Sequence, residues 1–421
     1  MKQADLQQRL DTLWRMESPR LVARLARMLG DLDSAEELAQ DALVAALEHW
    51  PQHGIPDNPA AWLMATAQRR AIDRLRQRRL HAQRQTQVLD EQQDYVMGAD
   101  AQDHVDDIGD DLLRLVFVAC HPLLPADARV ALTLRLLCGL TTHEIARAYL
   151  QPEPTIAQRI VRAKRLLSER KVPFEVPRRH ELTQRLQSVL DVVYLVFNEG
   201  YAASAGDDWT RPTLCEEALR LGRVLAGLMP NAIPVLGLLA LMELQASRLR
   251  ARTGADGAAV LLLDQDRSRW DWLQIGRGQA ALEKALELHD GNDPYVLQAA
   301  IADCHARARR AEQTDWARIA TLYARLGEVM PSPVIELNRA MAVAQAQGAE
   351  AAWPLLEALQ HDERLQGYAP LAAVRGDLLA RLGRHEEARA AFEQAAELSG
   401  NARESQVLRA RAAAMPSGTA R

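Results

Sequence analysis

Along the first third of the chain, apolar residues return every three or four positions, the period of helices with one buried stripe. The pattern predicts a helical stretch over residues 5–30 that stops at Gly30. A second helix follows over 34–50, opened by Ser34-x-x-Glu37 as a capping box. After a Pro/Gly-rich loop over 51–58, Asn58-Pro59 supplies a cap and a first-position proline for a third helix reaching about residue 81. The period is lost from 82 to 111, where Asp90, Glu91, Asp94, Asp100, Asp103, Asp106, Asp107, Asp110 and Asp111 crowd together and Arg84 is the only Lys or Arg. That stretch reads as an acidic flexible linker. Helical spacing resumes at Leu112 and runs to about 171, where Val172-Pro173 and Val176-Pro177 close the unit. From Glu181 onward the chain is again helical, with loops near 203–212, 253–257 and 289–294.

In the last third, Gly348 and Gly383 stand about one tetratricopeptide period of roughly 34 residues apart, each between two Ala/Leu-rich helices. Residues 377–398 form the clearest such unit. A chain of 421 residues is long for one core, so two to four units are expected. Aromatic residues are only 5% of the chain and β-branched ones are sparse, while Ala, Leu, Arg, Glu and Gln dominate, so the fold class is all-α. The net charge of −5 gives no general affinity for nucleic acid, which leaves local patches to supply one. No apolar run approaches the roughly 20 residues of a membrane helix, and no secretory signal is visible, so no membrane partner and a cytoplasmic location are expected. Cys120, Cys138, Cys215 and Cys304 form no CxxC pair and read as buried, reduced thiols.

The third helix carries one patch. Leu63, Ala67, Ala71, Ile72 and Leu75 share a stripe, while Arg70, Arg74 and Arg78 line up on another face with Arg69 and Arg76 beside them. Only Asp73 interrupts the positive charge. Guanidiniums at i, i+4 and i+8 repel one another and need anions. Phosphates suit them through bidentate donation; a solvated face paired with acids elsewhere in the chain is the alternative, and pairing with the acidic linker would make an autoinhibitory contact.

A second patch follows Gly139. Thr141-x-x-Glu144 is another capping box, and Gln151-Pro152-Glu153-Pro154 turns the chain into a helix with Ile156, Ile160, Ala163 and Leu167 as its buried stripe. Thr155, Gln158, Arg159, Arg162 and Arg165 occupy the opposite face, the layout of a recognition helix whose first polar residues read base edges. An ordinary helical hairpin is the alternative. The helix over 34–50 buries Leu38, Ala42, Leu43, Ala46, Leu47 and Trp50, and presents Glu36, Glu37, Gln40, Asp41 and Glu48, a face suited either to a protein partner or to solvent.

In the same order, these pieces resemble the two domains of extracytoplasmic-function sigma factors. The run Asp33-Ser-Ala-Glu36-Glu37-Leu-Ala-Gln40-Asp41-Ala-Leu is similar to the family's polymerase-binding helix. Pro59-Ala-Ala-Trp62-Leu63 with Ala71-Ile-Asp73-Arg74-Leu-Arg76 resembles the minus-ten segment, and 135–146 with 155–164 resembles the minus-thirty-five reader. The resemblance implies polymerase contacts at Asp33, Glu36, Glu37, Gln40 and Asp41. It implies minus-ten contacts at Trp62, Arg69, Arg70, Asp73, Arg74, Arg76 and Arg78, and minus-thirty-five contacts at Thr155, Gln158, Arg159, Arg162 and Arg165. Met64 and Arg69 stand where the family usually has an aromatic and an asparagine, and Pro152-Glu153-Pro154 replaces a small-residue turn, so the promoter sequence does not transfer.

The C-terminal half resembles a subgroup with a fused tetratricopeptide-like extension, through 196–201, 263–270 and 331–340. The expected division is 1–84 for sigma region 2, 85–110 for the linker, 111–175 for region 4, 180–310 for a helical extension and 311–412 for tetratricopeptide-like repeats. The implied partners are core RNA polymerase, promoter DNA and a small regulatory protein acting on the extension. Within it, Asn198, Glu199, Tyr201, Asp266, Arg267, Arg269 and Trp270 either line a regulatory groove or satisfy helix ends and interhelical contacts. The sequence has no phosphate-binding glycine loop, HExxH, GxSxG or metal-spaced Cys/His set, so neither an enzyme nor a cofactor is expected. Asp303-Cys304-His305 puts neighbours on different helix faces and makes no catalytic dyad. A conventional helix-turn-helix regulator with a helical-repeat sensor is the rival reading, and a protein-binding scaffold a second; the first does not account for the acidic and basic helices upstream, nor the second for the tandem caps and the recognition face.

Overall fold

The computed structural model describes residues 3–86, 105–149, 151–202, 210–254, 259–288 and 291–416. Among these residues there are eighteen α-helices and no strand, as the periodicity predicts; one isolated bridge joins Thr253 to Ala259. The chain forms two compact units, residues 1–192 and 193–421.

The first unit opens with α1 (Gln3–Leu29), α2 (Leu32–His53) and α3 (Pro59–Thr86), each packed on the other two. Small residues at the crossings, among them Ala26, Ala39, Ala42 and Ala67, are fully buried beside Leu25, Leu38, Trp50 and Leu63, so the helix backbones approach closely. α2 starts a turn earlier than expected. Its cap is Asp31, whose carboxylate accepts from the Ser34 N–H at 2.8 Å, rather than a Ser34–Glu37 box. Ser34 is instead buried, and its hydroxyl accepts from Arg78. Pro51 falls inside the last turn of α2, which Gly54 ends with a φ of 86°. At the head of α3, Asn58 accepts from the Ala61 N–H, as the Asn-Pro pair predicts.

Residues 87–104 of the expected acidic linker lie outside the described residues. α4 (Val105–Ala119) begins before Leu112, and its Asp111 is no linker residue: it is fully buried and ion-paired with Arg24 and Arg27 of α1 and with Arg114. α5 (Ala126–Leu136), α6 (Thr142–Ala148) and α7 (Glu153–Glu169) follow, with α7 packed on both of its predecessors. Gly139, at a φ of 67°, makes the turn into α6, and both hydrogen bonds of the Thr141–Glu144 capping box are formed. α8 (Arg179–Tyr201) begins in this unit. Arg185 donates to the Phe117 carbonyl at 2.9 Å, and Ser188 donates to that of Cys120 at 2.6 Å.

The second unit continues with α9 (Pro212–Leu228), α10 (Ile233–Ala246), α11 (Trp272–Leu288) and α12 (Pro294–Arg307). α10 is apolar on nearly every side, as its sequence Ile-Pro-Val-Leu-Gly-Leu-Leu-Ala-Leu-Met demands, and α9, α11 and α12 surround it. At Gly237 a Cβ would stand 2.8 Å from the Val296 N, so only glycine lets α10 and α12 meet there. Then come α13 (Trp316–Val329), α14 (Pro333–Gln347), α15 (Ala349–Leu359), α16 (Ala369–Arg381), α17 (His385–Leu398) and α18 (Ala402–Ala413), each packed on the next. Gly348 and Gly383 turn the chain between α14 and α15 and between α16 and α17, both with positive φ.

All four cysteines are buried and unbridged; burial pushes the Cys120 thiol up to about 11 and that of Cys215 up to about 12. Asp303 accepts from Gln279 and Arg307, while the His305 ring packs edge-on against Trp316 at 5.1 Å. Burial, reinforced by the nearby Arg248 and Arg267 charges, lowers the His305 pKa to about 3.

Two stability tests follow from this packing. A Cβ at Gly376 would come within 2.7 Å of the Phe392 ring. Gly376→Val should therefore cost about 2–3 kcal/mol in denaturant unfolding of the full chain, with part recovered by Phe392→Leu. His305 takes up a proton in the unfolded chain below about pH 6.5 but stays neutral in the fold down to about pH 3. Stability should therefore fall as pH drops through that window, by up to about 1.4 kcal/mol per pH unit. Melting curves of wild type and His305→Gln should converge at low pH if this holds.

Candidate functional site

α2 presents its acidic face as the pattern predicts: Asp33, Glu37 and Gln40 are exposed, Asp41 is half-buried, and Glu36 is the most enclosed, with its side chain 12% exposed. Gln40 donates to Glu36 at 3.3 Å. The basic row of α3 does not stand free for phosphates. Arg74 is 2.6 Å from Glu37 and Arg70 is 3.4 Å from Asp41, while Arg78 bonds to Ser34. For Arg70 and Arg74 the anions that the spacing requires are thus supplied by α2, because a helical row of that pitch lies along the groove between two packed helices. Arg69, Asp73, Arg76 and Arg78 are the exposed members of the set, with Asp73 and Arg76 3.6 Å apart. Ile72, assigned to the buried stripe, is 40% exposed. Trp62 packs edge-on against Trp50 at 5.4 Å and lies near His49.

In the helix-turn-helix, α7 buries Ile156, Ile160, Ala163 and Leu167, the predicted stripe, and leaves Thr155, Gln158, Arg162 and Arg165 exposed. Arg159 is held 3.0 Å from Asp127 of α5, and Arg165 pairs with Glu169 one turn on. Val161, 63% exposed, stands among these polar side chains. Its apolar character hides it from a reading that looks for polar contacts, although an exposed methyl pair on such a face suits a thymine methyl.

The flank of α7 carries a residue the sequence reading passed over. Lys164 lies 2.6 Å from Glu36 and 2.9 Å from Asp33, and Arg135 of α5 is 2.6 Å from the other oxygen of Glu36. Burial alone would raise the Glu36 pKa, but the Lys164 and Arg135 charges outweigh it and hold the carboxyl below its usual range. Burial likewise opposes the Lys164 charge, and Glu36 and Asp33 overcome it and raise its pKa. No local pattern reveals this meeting, since the partners are separated by 128 and 131 positions in the chain.

In the second unit the singled-out residues do different work. Glu199 pairs with Arg211, and Arg252 sits 4.0 Å from the centre of the Tyr201 ring. Arg267 is buried, donating to the His305 and Ala308 carbonyls and to Thr314, with its guanidinium over Trp270. Asp266 caps a short 3-10 turn by accepting from the Ser268 N–H. Asn198 is half-buried on α8. Arg269 and Trp270 line an open cavity of about 1100 Å³ that Leu249, Arg250, Trp272 and Leu273 also border. Most of the set therefore satisfies interhelical contacts, and Arg269 and Trp270 alone of it face a cavity of this size.

With this geometry in hand, comparison with known proteins is direct. Residues 13–81 match the family model of sigma-70 region 2, residues 114–167 that of sigma-70 region 4, and residues 185–286 that of a family of unknown function (DUF6596). An uncharacterized protein of Rhizobium meliloti (strain 1021) is 44% identical over 394 residues, covering 93% of this chain and 92% of its own length. The α1–α3 bundle and the α5–α7 helix-turn-helix coincide with the two sigma regions, and the match to the rhizobial protein spans nearly the whole chain. The chain belongs to one family with the rhizobial protein and carries regions 2 and 4 of sigma-70 transcription initiation factors, followed by a helical C-terminal part.

Proposed function

We propose that this protein is an extracytoplasmic-function sigma factor that works in the cytoplasm with core RNA polymerase, its α2 face docking on polymerase and α3 with α7 reading the two promoter elements. The observation that carries this reading is the pairing, in order, of an acidic docking face with a helix-turn-helix whose outer face is polar and cationic. On α3 the reading rests on Arg69, Asp73, Arg76, Arg78 and Trp62, since Arg70 and Arg74 are paired with α2 and act as supports of the docking helix. On α7 it rests on Thr155, Gln158, Val161, Arg162 and Arg165, with Arg159 oriented by Asp127. Capture of the single-stranded bases offsets the cost of unstacking at the minus-ten element.

The C-terminal part is, on this reading, a tetratricopeptide-like regulatory extension. Its consecutive helix pairs and glycine turns support that, as does the open cavity bordered by Trp270 and Trp272. A small protein acting there would set sigma activity.

Run-off transcription with core polymerase tests the assignment. Initiation from a discrete site that depends on both proteins is expected, whereas operator binding without polymerase-dependent initiation would favour a conventional regulator. A shortened chain for the comparison should end after residue 202 rather than near 175, because the start of α8 is bonded to α4 and to the turn that follows it. Gln158→Ala with Arg162→Ala should weaken promoter binding by about thirtyfold and reduce the salt slope by about one, leaving core binding unchanged. Equal loss of both in paired binding assays would refute the division of labour.

A further inference from the structure

Among the described residues of the second unit, every buried charge but one has a partner. Glu217 pairs with Arg220, Glu243 with Arg223, and Asp303 with Arg307. Arg267, 5% exposed, donates to two carbonyls and a hydroxyl. Arg248 is the exception. It stands where the chain leaves α10 and is 8% exposed, yet no carboxylate, carbonyl or hydroxyl of the described residues bonds its guanidinium. Its neighbours are rings, with the centroids of Tyr201 at 5.8 Å and Trp270 at 5.7 Å. Cation–π attraction at that range returns only part of the cost of taking a guanidinium out of water.

The surroundings add donors and positive charge. Arg267 shares the Trp270 ring at 4.8 Å, and Arg252 the Tyr201 ring at 4.0 Å. The indole Nε1 of Trp270 and the Nε of Arg267 are buried without partners. Burial, and after it the uncancelled Arg248 charge, lowers the pKa of both Arg267 and His305. Tyr323 of α13 also feels Arg248, but burial dominates and pushes its phenol up to about 12, so it stays a donor at neutral pH. Unmatched N–H groups and net positive charge, gathered out of water, call for an anion.

We propose that Arg248 is the centre of a binding site for one compact oxyanion, the carboxylate or phosphate group of a small metabolite, with Tyr201 and Trp270 as its walls. The guanidinium fork offers such a group two parallel N–H bonds. Arg248 does not border the open cavity beside Trp272, so this site is separate from it. It lies wholly within the second unit and stands whether or not the sigma reading holds. Through it the helical extension takes a small molecule as an input.

The test melts the full chain at constant ionic strength in chloride, inorganic phosphate or succinate, each in the low millimolar range where general salt effects are small. Phosphate, succinate or both should raise the melting temperature above that in chloride. The rise should follow a single binding curve, with the folded-to-unfolded ratio growing about tenfold for each tenfold excess over Kd. A response to phosphate alone identifies a phosphate group as the ligand, and one to succinate alone a carboxylic acid. Equilibrium dialysis with labelled phosphate and succinate should find a single anion per chain. Arg248→Met should abolish the response and melt no lower than wild type in chloride, because it removes an unpaired buried charge. Arg248→Lys, which keeps the charge but not the fork, should bind about tenfold more weakly and serves if the methionine variant does not fold. Equal melting in all three salts with no anion retained in dialysis would overturn the site. A rise that persists undiminished in the variants would mark an adventitious ion only, and would overturn it too.

Discussion

The carboxylate of Glu36 is the point on which the first unit turns. It is drawn out of water between an ammonium and a guanidinium, each 2.6 Å from one of its oxygens, and the cations come from α7 and α5. Taking these three ions out of water is costly, and their mutual attraction returns that cost only while all are in place. A contact built this way adds little net stability beyond what an apolar one would. It confers dependence on partners, since removing any one of the three leaves the others buried and uncompensated.

The same economy explains α3. Its arginine row looks, as a string, like a phosphate comb, and the structure uses Arg70 and Arg74 to neutralise Asp41 and Glu37 instead. The acidic face of α2 is thereby bracketed, by α3 along one edge and by α5 and α7 along the other. Asp111 repeats the device in reverse, a buried anion beneath cations of α1. With so many of the strong charges answered internally, the outward-facing chemistry narrows to the tip of α7 and the exposed residues of α3, and there the net charge of −5 ceases to be informative.

Much of this was legible in the sequence, and the reasons differ by residue. The α7 stripe and the Thr141 capping box are set by contacts three or four positions apart, so periodicity reveals them. Asn58-Pro59 works for the same reason. Ser34 misled because Asp31, a stronger cap three residues earlier, took the N-terminus and left the serine to be buried. Asp111 misled because its neighbours in sequence are acidic, while its partners lie 84 and 87 positions away. Lys164 and Arg135 were invisible as a pair for the same reason. In the C-terminal part, Glu199 and Arg267 are held by partners that no local pattern reveals, Glu199 by Arg211 and Arg267 by two carbonyls and a hydroxyl 38, 41 and 47 positions away.

Zero-length carbodiimide coupling tests the central claim most directly, because it joins an amine to a carboxylate only where the two are in contact. In the full-length protein, mass spectrometry should find Lys164 coupled to Glu36 or Asp33. Absence of the coupled peptide would contradict the account.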